Sequence, residues 1–92
     1  MHLEVVSPEA TLFSGEVTSV AVPGTNGSFQ MLDHHAAIVS TLTPGTVKIY
    51  GNIQLPEASA ERFTKANDAT LLELPNGGTV EMQNNKVILL AG

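Results

Sequence analysis

Short runs in which apolar and polar residues alternate, cut by Gly, Pro, Asn or Asp, cover most of this 92-residue chain. A period of two puts alternate side chains on opposite faces, so each run predicts a strand with one face on a core. His2-Leu3-Glu4-Val5-Val6-Ser7 ends at Pro8, which lacks the N–H a central ladder needs. Ala10 to Ser14 follows and stops at Gly15, and Glu16 to Val22 alternates through β-branched residues until Pro23-Gly24. Thr25-Asn26-Gly27 predicts a turn, because Asn and Gly tolerate positive φ. Ser28 to Leu32 is the next strand, Asp33-His34 a corner, and His35 to Leu42 a mostly apolar strand broken by Thr43-Pro44-Gly45. Thr46 to Tyr50 alternates again.

The pattern fades over 51–69, which reads as an insertion or extended loop. Leu55 to Asn67 fits either a short helix, with Pro56 in its first turn and Glu61 four before Lys65, or a long hairpin loop. Strands return at Thr70 to Leu74, Thr79 to Gln83 and Lys86 to Leu90. Pro75-Asn76-Gly77-Gly78 separates the first two, and Asn84-Asn85 is a two-residue hairpin turn between the last two. About nine strands, with no repeat and no low-complexity linker, predict one all-β domain over 1–92. The expected architecture is a small antiparallel two-layer sandwich.

Composition narrows the function classes. Apolar residues make up 42% of the sequence and charged ones only 14%, so part of the surface is expected to be covered by partners. The net charge is −5, and residues 1–46 contain no Lys or Arg at all. Nucleic acid and anionic lipid both require basic side chains, so neither is an expected partner. No apolar run reaches membrane-spanning length and no signal-peptide pattern opens the sequence, which predicts a soluble or protein-anchored peripheral protein. The absence of cysteine excludes disulfides and thiol chemistry.

Candidate chemistry is sparse. Asp33-His34-His35 is the only cluster of ligand-type side chains, and neighbours on a strand point apart, so a metal site lacks its third and fourth ligands. No serine sits in a G-x-S-x-G elbow, and Gly24-Thr25-Asn26-Gly27 lacks the Lys-Ser/Thr of a phosphate loop. Glu57 and Glu61 read as a solvated face. No catalytic, metal or cofactor-binding residue is expected, which favours a binding or structural module over an enzyme.

Specific segments then carry a resemblance. Leu3-Glu4-Val5-Val6-Ser7-Pro8-Glu9, Leu12-Phe13-Ser14-Gly15-Glu16-Val17 and Val20-Ala21-Val22-Pro23-Gly24 resemble the start of the epsilon subunit of bacterial F-type ATP synthase. Gly27-Ser28-Phe29, His35-Ala36, Leu42 to Ile49 and the closing Gly77 to Val87 continue it in order. The match covers 2–50 closely and 70–92 well. It departs at Ala37, where the family's His-Ala-Pro reads His35-Ala36-Ala37. Relatives usually continue into a C-terminal helical hairpin, so the resemblance implies a short natural form or a truncated one and supports no claim of inhibition.

The resemblance implies a flattened sandwich of about ten strands acting as a non-catalytic rotor subunit of the central stalk. It would link the gamma subunit to the c-ring, in a complex with alpha, beta and delta, and couple proton or sodium translocation to ATP synthesis. It further implies a peripheral place on the cytoplasmic face of the bacterial inner membrane. Carried onto this sequence, Thr25, Asn26, Ser28, Phe29, Gln30, Asp33 and His34 are the expected c-ring contacts, with Asp33 and Glu16 supplying charge complementarity. His35, Ala36, Ile38, Ser40 and Leu42 are the expected gamma contacts. The alternative is a stand-alone β-sandwich that binds protein or carbohydrate, although the sequence has only four aromatic residues and no Trp.

Overall fold

A computed structural model describes residues 1–92. Ten strands form in sequence order: β1 His2–Val6, β2 Thr11–Glu16, β3 Ser19–Gly24, β4 Gly27–Leu32, β5 Ile38–Leu42, β6 Gly45–Tyr50, β7 Phe63–Ala66, β8 Ala69–Leu74, β9 Gly78–Gln83 and β10 Lys86–Ala91. One five-stranded layer runs β2-β1-β10-β9-β5 and the other β4-β3-β6-β8-β7. They meet at a single register position, Gly24 of β3 against Leu42 of β5. All pairings are antiparallel except β1–β10, where the first strand lies parallel to the last. The wholly antiparallel expectation is corrected at that one pair, which joins segments too distant in sequence for a hairpin.

Alternation sorts each strand into core and surface. Leu3 and Val5 of β1, Val20 and Val22 of β3, Val47 and Ile49 of β6, Leu72 and Leu74 of β8, Val80 and Met82 of β9, and Val87 and Leu89 of β10 all point between the layers. They belong to one cluster of 21 buried apolar residues. Met31 fills the centre from the edge strand β4, and Phe29 and Ile38 pack against the rim.

The turns follow local chemistry. Asn84 and Asn85 both have positive φ (53° and 61°), as a two-residue hairpin between Gln83 and Lys86 demands. In the β3–β4 hairpin the positive φ falls on Gly27, at 115°, and not on Asn26. Gly77, at φ 67°, lies so close to the Leu42 carbonyl and Thr43 backbone that no side chain fits.

Two expectations change. The segment 51–69 forms no helix over Leu55 to Asn67; it is a loop, a three-residue 3-10 turn at Ala60–Arg62, and then β7, which pairs with β8. Ser59 anchors it, donating its hydroxyl proton to the Leu12 carbonyl across 2.6 Å while itself buried. The strand expected from His35 begins only at Ile38, its first residue paired with β9. His34 turns the backbone at φ 61°, and the His35 N–H donates to the Leu32 carbonyl, closing a turn ahead of it.

Candidate docking surfaces

The strands run between two ends of a body measuring 31 × 25 × 25 Å. One end carries Met1, Glu16, the Asp33-His34 corner and the Asn84-Asn85 turn, tied together by hydrogen bonds. The opposite end carries the Thr25-Asn26 turn and the loop Thr43-Pro44, held by Thr25 N–H to the Thr41 carbonyl and Thr43 N–H to the Pro23 carbonyl. Gly92 joins it by donating its N–H to the Gly77 carbonyl.

This geometry separates the residues expected to share a c-ring contact. Thr25, Asn26, Ser28 and Gln30 are exposed, and Phe29 is half-buried, along the β3–β4 hairpin. Asp33 and His34 are exposed too, but beyond the far end of β4. Eight residues of extended backbone span about 25 Å, so the Thr25 turn and the Asp33 corner face opposite directions. Strand length alone carried this signal.

The Asp33 corner is already engaged. Its carboxylate lies 2.8 Å from the Met1 α-amino group, and Glu16 lies 3.3 Å from the same nitrogen. The hydrogen bond and charge of the ammonium hold the Asp33 carboxyl below its ordinary range, with smaller help from His34 and Asn85. The Asp33 hydrogen bond in turn raises the amine, against desolvation by the buried Met1 and with further help from Glu16. His2 adds to this network, with Nδ1 3.3 Å from Glu16 and Nε2 3.5 Å from Glu4, which also receives Lys86 at 3.2 Å. His2, His34 and His35 do not come together with enough acids to form a metal-binding group.

On β5 the exposed face is the opposite of the one expected to meet gamma. Leu42 is 3% exposed within the core, Ile38 packs against that core, and half-buried Ser40 donates its hydroxyl to the Thr41 carbonyl. Leu42 is therefore corrected from a surface contact to a core residue. Val39, one position from Ser40, is 75% exposed. His35 and Ala36 lie in the turn before β5, where His35 Nδ1 sits 2.7 Å from the Ala36 carbonyl oxygen.

Register shows what surrounds Val39. It pairs with Glu81 of β9, which pairs with Ile88 of β10. Leu90, 48% exposed, lies one pleat along from Ile88 and beside Val6 of β1. Shallow depressions on either side of Val39 share Glu81, one lined also by Ala37, Met82 and Gln83 and the other by Thr79, Ile88 and Leu90. Val39 of β5, Ile88 and Leu90 of β10 and Val6 of β1 thus put exposed or half-buried apolar side chains on one sheet face from three strands, interrupted by Glu81 of β9 and Glu4 of β1. Sequence reasoning missed it, yet a signal existed: Val87-Ile88-Leu89-Leu90 is apolar at every position, the mark of a strand covered on both faces.

Comparison with known proteins adds identity to this geometry. The family model described as ATP synthase, Delta/Epsilon chain, beta-sandwich domain matches residues 1–92. The ATP synthase epsilon chain of Chlorobaculum tepidum is 38% identical over 88 residues, covering 96% of this chain and 84% of that protein. The epsilon chain of Nitratiruptor sp. is 35% identical over 99 residues, covering 96% and 74%. That of Campylobacter curvus is 33% identical over 91 residues, and the match spans 60% of its length. Among solved structures, a chain of the Tetrahymena thermophila mitochondrial ATP synthase central stalk/c-ring superposes with a TM-score of 0.70 at 14% identity. That superposition covers 97% of this chain and 60% of the other.

Proposed function

From the premise that this chain belongs to the ATP synthase delta/epsilon β-sandwich family, a non-catalytic stalk component of that complex, we propose how its surfaces are used. The protein joins the gamma subunit to the c-ring as part of the rotor, in an assembly with alpha, beta and delta. The β5-β9-β10-β1 face docks gamma, and the β3–β4 hairpin end meets the ring. In this reading the subunit is peripheral, on the cytoplasmic face of a bacterial inner membrane. No helix is long and apolar enough to cross a membrane.

The observation that carries the gamma assignment is Val39, a large apolar side chain 75% exposed on β5, the last strand of its layer. Isolated surface apolar residues are ordinary, whereas several on one face, here from three strands, mark a contact surface. Such a face suits an obligate-type interface, apolar at its middle and polar at its rim. The ring assignment favours the hairpin, which carries five of the seven residues the family resemblance implies. It releases Asp33 and His34 from that role, because they lie at the other end.

A rotor joint must transmit torque without deforming. Ten strands on one continuous core, joined by turns as short as two residues, provide that stiffness. Co-expression of the protein with gamma from the same genome, followed by gel filtration, tests the proposal. A co-eluting pair is expected; two separate peaks would overturn the gamma assignment.

A further inference from the structure

Two Asn-Gly pairs occur in the sequence, Asn26-Gly27 and Asn76-Gly77. The first lies in the β3–β4 hairpin and the second in the link from β8 to β9, strands of different layers, and φ is positive at both glycines. An Asn-Gly pair can cyclise, because the glycine nitrogen meets little steric hindrance on its way to the Asn carboxamide carbon. The backbone nitrogen bonds to Cγ, the Cγ–Nδ2 bond breaks and ammonia leaves. Water then opens the resulting succinimide to Asp or isoaspartate, so no oxidant or reductant is involved. The reaction requires the backbone around the pair to loosen enough for that attack.

The two turns differ sharply in this respect. Gly77 is buried; its N–H donates to the Leu74 carbonyl and its own carbonyl accepts from Gly92. The Leu42 and Thr43 backbone presses against it, leaving no space even for a methyl group. Gly27 is exposed, and a methyl group placed there would meet nothing within 4 Å. Thr25 and Asn26, at the tip, are exposed as well. Local opening of an exposed two-residue tip costs far less than opening a turn wedged between neighbouring strands.

We infer that Asn26 is a built-in modification site of this protein, converting spontaneously to an acid while Asn76 is protected by the fold. The inference stands on exposure and turn geometry alone and holds whether or not the hairpin meets the c-ring. Its chemical consequence is one added negative charge at the hairpin tip. The isoaspartate form also inserts a methylene into the backbone between paired Gly24 and Gly27.

The test is ageing of the full folded protein in mildly alkaline buffer, with a parallel sample unfolded in urea. Cleavage after Glu places Asn26 in the fragment 17–57 and Asn76 in the fragment 74–81, so the two sites are read separately by mass spectrometry. In the folded sample Asn26 is expected to gain one mass unit at least about tenfold faster than Asn76, and in urea the two rates should converge. Asn26→Gln should remove the main acidic species seen by ion exchange. Equal rates in the folded protein, or a faster reaction at Asn76, would overturn the inference. So would an Asn26 that stays intact when folded but reacts in urea.

Discussion

Two positions on opposite faces of β5 are expected to separate folding from docking. Leu42 is 3% exposed and lies inside the apolar cluster, whereas Val39 is 75% exposed on the other face. Leu42→Ala removes buried methyl groups and leaves a cavity, at a cost of about 2–5 kcal/mol. For a protein of this size each kcal/mol moves Tm by about 4–8 °C, so a drop of at least about 8 °C is expected. Val39→Arg touches only the surface, and its cost should stay within about 0.5 kcal/mol, or under about 4 °C. Binding should divide the other way. An arginine in place of Val39 is bulkier and must shed its hydration where gamma packs, weakening gamma binding by about 2 kcal/mol or more, at least about thirtyfold in Kd. Thermal melts of both variants, with titration of gamma at a temperature where both are folded, read the two effects. A Tm loss for Val39→Arg as large as that for Leu42→Ala would refute the face assignment. So would undiminished gamma binding by the Arg variant.

Ser59→Ala strands the buried Leu12 carbonyl, so a loss of about 1–3 kcal/mol is expected in denaturant melts, with Ser59→Thr closer to wild type. Gly77→Ala combines a left-handed φ with a clash against the Leu42 carbonyl; the conformational part alone costs about 1–2 kcal/mol, and Tm should fall accordingly. For protein beginning at Met1, the Met1–Asp33 pair gives stability a two-sided pH dependence. The lowered Asp33 pKa means its contribution is complete above the ordinary 3.8 and lost as pH falls through the folded value. The raised amine pKa means its contribution is complete below the ordinary 8.0 and lost as pH rises through the folded value. Tm should therefore plateau between those limits, and Asp33→Asn should flatten both shoulders.

Much of this architecture was legible in the residues because its signals are local. Asn84-Asn85 reads as a hairpin turn from two residues, and Leu3 and Val5 read as core from alternation alone. The parallel β1–β10 pair was not legible, since it depends on contact between segments at opposite extremes of the sequence. The register of β5 was ambiguous for a different reason: in Ile38-Val39-Ser40-Thr41-Leu42 both parities carry an apolar and a hydroxyl side chain. Only the packing of Leu42 against the core decides which parity points inward. Residues 51–69 follow neither period, and their place depends on Ser59 reaching Leu12, a contact 47 residues apart in sequence.

The central claim, a rotor joint with its β3–β4 hairpin on the c-ring, is most directly tested by cross-linking. The sequence has no cysteine, so single substitutions report without background. Thr25→Cys places a thiol at the hairpin tip, and Asp68→Cys places one in the β7–β8 turn at the other end, beside the Tyr50–Ala69 pair. In assembled membranes the account predicts a cross-link from position 25 to the c subunit and none from position 68. A c-subunit product from position 68, with none from position 25, would contradict it.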